Sequence, residues 1–127
     1  GCVEMKNQFQ LRKDYDLESD VLWLSIEDDY NYRESIGIGN VILDFDENCI
    51  PVAVEILDAS KVLNLSKDSL KKDFNVKMDI SLDEDLIAIH AQFAFPNKKQ
   101  IPVEKDFKTV NDINIPSREV GMVIGEF

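Results

Sequence analysis

Cysteine is nearly absent from this 127-residue chain, at two residues, and histidine occurs once. Cys2, in an expected tail, and Cys49, in an expected turn, give neither a disulfide framework nor a metal-ligand spacing. Reduced thiols in a cytoplasmic protein are the plain reading, with a single Cys2 to Cys49 bridge as the alternative. Glycine (5) and proline (4) are scarce, and no linker, repeat or low-complexity tract breaks the chain. No apolar run approaches the ~18 residues that a membrane-spanning helix needs, so no membrane partner is expected. The chain opens at Gly1 rather than Met, which reads as a trimmed start, and Gly1-Cys2 matches the end of a lipoprotein signal at those positions alone. Gly37-Ile38-Gly39 lacks the third glycine and the following helix of a phosphate loop. Lys71-Lys72 and Lys98-Lys99 are too short to form a basic patch.

Acid is what the chain has in excess, with 25 Asp and Glu against 14 Lys and Arg and a formal net charge of −11. The excess is uneven: residues 1–62 hold 14 acids and 5 bases, residues 63–127 hold 11 and 9. A field of that sign repels phosphate backbones, so nucleic acid is an unfavoured partner and a cation or a basic protein a favoured one. Solubility alone is the bland account of the same charge. Hydrophobic residues make up 44% and are spread along the whole length, enough for one core and one domain.

The apolar pattern is mostly that of strands. Phe9, Leu11 and Tyr15 alternate loosely, and residues 17–20 read as a turn. In the next strand Val21 and Trp23 point one way and Leu22, Leu24 and Ile26 the other, so it is expected to be central and covered on both faces, with Trp23 buried. Residues 27–35 are polar and read as a solvated loop that folds Tyr30 and Tyr32 over the sheet edge. Residues 40–46 and 50–57 form a hairpin, with Ile50, Val52, Val54 and Ile56 on one face. Residues 58–60 break the strand. Ser66 then caps a helix over residues 65–74, about two turns long. Val76, Met78, Ile80 and Leu82 open a three-strand meander. It continues through Ile87, Ile89, Ala91, Phe93 and Phe95, turns at Pro96-Asn97-Lys98, and ends in Ile101, Val103 and Phe107. The tail, with Val120, Met122, Ile124 and Phe127, reads as an edge strand or a partner-binding arm. The fold class expected is α+β, mainly antiparallel β, with about seven or eight strands in two β halves and one short helix between them.

Three segments carry a family resemblance: Tyr15-Asp16-Leu17-Glu18-Ser19-Asp20-Val21-Leu22-Trp23-Leu24, then Val41-Ile42-Leu43-Asp44-Phe45-Asp46, then Val54-Glu55-Ile56-Leu57-Asp58-Ala59-Ser60. In that order they resemble Domain of Unknown Function family 2283, a short prokaryotic module. The likeness spans residues 13–62 and leaves residues 63–127, with the helix, meander and tail, outside it. Where the family has glycine in the hairpin turn and before its Glu-Ile segment, this chain has Cys49 and Ala53. Some members look like partners of small toxin-like proteins, so the resemblance raises an antitoxin-type role and implies almost nothing else about function.

Candidate sites are carboxylates. Asp44, Asp46, Asn48 and Glu55 have calcium-loop spacing, but Cys49 replaces the required glycine and Pro51 sits inside the loop, so a hairpin turn is the better account. Asp14, Asp16, Glu18 and Asp20 recur at every second position, where they could hold a divalent cation, but Asp16 and Asp20 more simply brace a turn. Glu55 on its strand could act as an acid, yet no second catalytic group accompanies it. His90 shares a face with Ala88 and Gln92 and cannot build a zinc site with these cysteines. No catalytic residue, cofactor or metal is therefore assigned. The expected function is a non-enzymatic protein-interaction module that binds a basic partner or a second copy of itself. The alternative is a divalent-cation-binding domain or an enzyme using the carboxylates of residues 1–62.

Overall fold

A computed structural model describes residues 7–95 and 102–125. Cys2, the turn at Pro96-Asn97-Lys98, Lys99, Ile101 and Phe127 lie outside the described residues. Among the described residues there are nine strands and two short helices: β1 Gln8–Asp16, β2 Val21–Ile26, β3 Tyr32–Ile38, β4 Val41–Asp46, β5 Pro51–Ile56, α1 Ala59–Leu63, α2 Lys67–Lys71, β6 Asn75–Leu82, β7 Leu86–Ala94, β8 Val103–Val110 and β9 Arg118–Ile124. They form one sheet in the order β3-β4-β5-β2-β1-β9-β6-β7-β8. Every pairing is antiparallel except β1 with β9. The end strands β3 and β8 approach one another without a ladder, so the sheet is nearly a barrel.

This corrects the expected count of seven or eight strands, the separation into two β halves and the single helix. The splice is β1, a nine-residue strand that serves two partners. Its Leu11–Asp16 part pairs with β2, and Gln8, Phe9 and Gln10 pair with Gly121, Met122 and Val123 of β9. The described part of the tail, β9, is accordingly neither an edge strand nor a free arm. β9 lies between β1 and β6, with Val120 and Met122 buried. A parallel pairing between the two ends of a chain leaves no mark in local alternation, which is why the tail reads as an edge.

The ninth strand, β3, was hidden in the polar stretch 27–35. Among the described residues it pairs only with β4, and it is exposed over most of its length, so it carries polar residues where a covered strand would carry apolar ones. α1 was hidden by Asp58-Ala59-Ser60. Asp58 takes left-handed backbone angles (φ 51°) at the exit of β5, and Asn64 does so again (φ 54°) where the five-residue helix ends. Ser66 caps α2 as expected, its side chain accepting from Ser69 N at 3.1 Å, but the helix covers five residues rather than two turns.

One inward row runs round the sheet: Leu22 and Leu24, Leu43, Val52 and Val54, Met78 and Ile80, Ile87 and Ile89, Val120 and Met122. Leu63, Leu70 and Phe74 from the helical segment join the same cluster. Phe74 meets Phe95 with ring centroids 5.2 Å apart, and the Lys13 ammonium stands 4.1 Å from the centroid of the Phe74 ring. Lys13 also donates to the Lys72 carbonyl. Desolvation lowers its pKa, against the opposing charge of Asp73.

The strand β2 is central, as expected, but it is covered on one face only. Leu22 and Leu24 point into the core while Trp23 stays 38% exposed on the outer face, contrary to the expected burial. The reason is closure: a sheet that curls on itself has one interior, and no described element forms a second layer over Trp23.

Candidate functional site

The opening and closing segments of the family-like stretch meet at Asp20 and Ser60. The β1–β2 turn puts Asp20 in the left-handed region (φ 56°), with its carboxylate pointing inward. Tyr15 donates to Asp20 Oδ1 at 2.6 Å, Ser60 N donates to the same oxygen at 3.0 Å, and Ser60 Oγ donates to Oδ2 at 2.6 Å. Ala59 N donates to the Asp20 carbonyl at 2.9 Å. The opening and closing segments of the family-like stretch are thus two sides of one knot. Burial pushes the Asp20 pKa up, but the bonds from Ser60 and Tyr15, with the charge of Lys67, outweigh it and hold the carboxyl below its usual range. Burial first, and the bond to Asp20 second, push the Tyr15 phenol well above its usual range.

The middle segment is a turn. Asp46 Oδ1 accepts from Asn48 N and from Ile50 N, both at 2.9 Å, and Cys49 takes the left-handed angle (φ 63°) that glycine would take more easily. Asp44 and Glu55 stand on the outer face of β4 and β5, while Asp46 is turned inward and buried, so the calcium-spaced residues do not converge. Asp16 Oδ1 accepts from Glu18 N at 3.0 Å, and Asp14 and Asp16 lie on the outer face while Asp20 lies inside. Among the described residues, no three His, Cys, Asp or Glu side chains come together so as to hold a metal ion.

His90 sits on the outer face of β7, with Nδ1 2.7 Å from Asp106 Oδ1 of β8 and Asp79 of β6 opposite on its other side. Its neighbour Gln92 donates to Glu104 Oε1 at 2.8 Å. The bond to Asp106 is the main cause raising the His90 pKa; desolvation opposes it, and the charges of Asp106, Glu104 and Asp79 add to it.

A concavity lies on the outer face of β1, β2, β4 and β5. The register aligns Arg12, Ser25, Ala53 and Asp44 in one row across β1, β2, β5 and β4, and Asp14, Trp23, Glu55 and Ile42 in the next. Ser25 and Ala53 are small, so the row dips between them. Trp23 and Tyr30 flank the dip, and a groove of about 390 Å³ results. Arg12 is held at one end by donating from Nη2 to the Glu27 carbonyl at 2.9 Å. At the other end Asp44 Oδ1 accepts from Ser35 Oγ at 2.5 Å, and that hydroxyl lies 2.7 Å from the Tyr32 phenol. No described Lys or Arg forms an ion pair with Asp14, Asp44 or Glu55.

Reading residue types found the carboxylates but missed the groove, because Arg12, Ser25, Tyr30 and Ala53 carry no motif. One signal was available: Ser25 shares a face with Trp23, and a polar residue in that row marks the face as wet.

No family model matches the chain, and no solved structure matches it. An uncharacterised protein of Methanocaldococcus jannaschii is 33% identical over 119 residues, which cover 91% of this chain and 99% of that protein. A protein of Methanosarcina mazei that bears the name "Putative hypoxanthine phosphoribosyltransferase" is 34% identical over 113 residues, 86% of this chain and 89% of that protein.

Proposed function

The chain belongs to the family that includes these two archaeal proteins, and we propose that it is a non-enzymatic interaction module that receives a basic protein partner on the outer face of β1, β2, β4 and β5. The observation that carries this reading is the exposed Trp23 standing between Asp14 and Glu55 in one cross-strand row. Large aromatics on an uncovered face are common anchors of interfaces, and carboxylates without an internal partner draw a cation to them. The acid excess of residues 1–62 supplies the long-range attraction. An antitoxin-type role, which the resemblance to Domain of Unknown Function family 2283 implies, is one form of the same reading.

The name of the Methanosarcina relative would ask for a seat for a ribose phosphate. Such seats are typically glycine-rich turns that open a helix of some length. Here α1 and α2 are five residues each and Gly37 and Gly39 flank the end of a hairpin strand, so the described residues lend phosphoribosyl transfer no support. His90 and Asp106, a pair of the kind used in proton transfer, are on the outer face of the other half, away from the groove.

The test is amide-shift mapping of the full chain with short lysine-rich and arginine-rich peptides at low salt, against an acidic peptide of equal length. Shifts confined to β1, β2, β4 and β5 are expected with the basic peptides alone. Shifts centred on β6, β7 and β8, or none, would overturn the reading.

A further inference from the structure

Resting on that interaction reading, we infer that the groove is a seat for one arginine side chain of the basic partner, with the guanidinium stacked on Trp23 and Tyr30 and forked onto Asp44.

The argument starts from the floor. Ser25 and Ala53 face each other across β2 and β5, and neighbouring strands are about 4.8 Å apart, so two small side chains leave a slot between the long side chains at either end of the row. The walls of that slot are aromatic, Trp23 from the next row and Tyr30 from the segment after β2. A flat, weakly hydrated cation gains from both such faces, where a compact ammonium keeps its water.

The two ends differ in charge. Arg12 closes one end and is already committed to the Glu27 carbonyl, so an incoming cation is directed to the other. There Asp44 is held in place by the Ser35 hydroxyl on Oδ1, and the remaining lone pair of that oxygen together with Oδ2 can accept a two-pronged donor. An oriented carboxylate beside an aromatic wall suits the planar fork of arginine better than the point charge of lysine. Asp14 and Glu55, which form no ion pair with a described Lys or Arg, add negative charge on either side of Trp23.

A protein rather than free arginine is the source. At about 390 Å³ the groove exceeds what one guanidinium fills, and it opens onto the sheet face rather than closing over a small molecule. The backbone that presents the arginine therefore lies along the outer face, where the acid excess extends its contact.

The experiment titrates the full chain with capped peptides that differ only in one central Arg or Lys, and with free arginine. It is read by Trp23 emission and by calorimetry. The arginine peptide is expected to bind about tenfold more tightly than the lysine peptide. Asp44→Asn and Tyr30→Ala should each remove most of that preference, while Lys108→Ala on the other half leaves it intact. Equal affinity for the two peptides, or a preference that survives both variants, would overturn the arginine seat while leaving the basic-partner reading standing. Failure of every basic peptide to bind would remove both. Free arginine binding as tightly as the arginine peptide would also count against the proposal, because the source would then be a small molecule.

Discussion

Asp20 and Ser60 stand 40 positions apart in sequence and share two hydrogen bonds, Ser60 N to Oδ1 at 3.0 Å and Ser60 Oγ to Oδ2 at 2.6 Å. This clamp fixes the β1–β2 turn to the start of α1, with the Tyr15 hydroxyl as a third donor. Charged hydrogen bonds in buried positions each contribute about 1.5–3 kcal/mol, and a donor left without its acceptor costs a comparable amount. Asp20→Ala should therefore destabilise the protein by about 3 kcal/mol in denaturant unfolding, with added strain because alanine resists the left-handed angle. Tyr15→Phe, which leaves both Ser60 bonds in place, should cost about 1.5 kcal/mol. Equal losses for the two variants would mean that the clamp is not centred on Ser60.

The same carboxylate makes stability depend on pH. Its folded pKa lies below the unfolded value, so its contribution is complete above the ordinary carboxylate range and fades as pH falls through the folded value. Protonation of the many other acids also relieves repulsion in this chain, so the useful quantity is the difference between wild type and Asp20→Asn. That difference should shrink as pH drops below about 4. A gap that stays constant down to acid unfolding would contradict the depressed pKa.

Trp23 is 38% exposed on an uncovered face, so its emission should lie toward the red and be quenched readily by a neutral quencher. Trp23→Ala should cost about 1 kcal/mol or less, the range of a cross-strand pair rather than of an emptied core site. A blue-shifted, protected spectrum or a loss of several kcal/mol would place the indole inside.

Much of the fold was readable because alternation reports burial directly. Val76, Met78, Ile80 and Leu82 form an inward row, the 40–57 hairpin holds its expected face, and Ser66 caps its helix. What was not readable follows from non-local pairing. Nothing near Gln8 announces that it will lie beside Gly121 in parallel, and without that pairing the tail looks free and the sheet looks divided. Asn111 makes the same point: it is buried, and it joins the Asp83 carbonyl to the Ile115 backbone, yet in sequence it is an ordinary loop residue. The groove was illegible for a related reason. Arg12, Ser25, Ala53 and Asp44 become a row only once four strands are in register.

Because β9 is laddered on both sides, its removal should abolish folding rather than trim an arm. A chain ending at Ser117 is expected to lose cooperative thermal unfolding. Met122→Ala, a milder change at a buried position, should cost about 2–5 kcal/mol. A cooperatively folded truncation with unchanged stability would show that β9 contributes nothing to the sheet.

His90 offers a prediction with an internal reference, since the chain holds one histidine and its ring resonances need no assignment. Its Nδ1 lies 2.7 Å from Asp106 Oδ1, and that bond, with the nearby charges of Asp106, Glu104 and Asp79, raises its pKa against the effect of desolvation. A folded pKa above the unfolded one means that the folded chain binds the proton more tightly. The stabilisation is then fully present below the ordinary value near 6.5 and is lost as pH rises through the folded value. The pair is solvent-exposed, so the effect on stability is small and salt-sensitive, and the titration midpoint is the better readout. Proton NMR should show a midpoint above 6.5 in the wild type and a return toward it in Asp106→Asn, with a smaller shift in Asp79→Asn. If Asp106→Asn left the midpoint where it was, the cross-strand bond could not be what raises it.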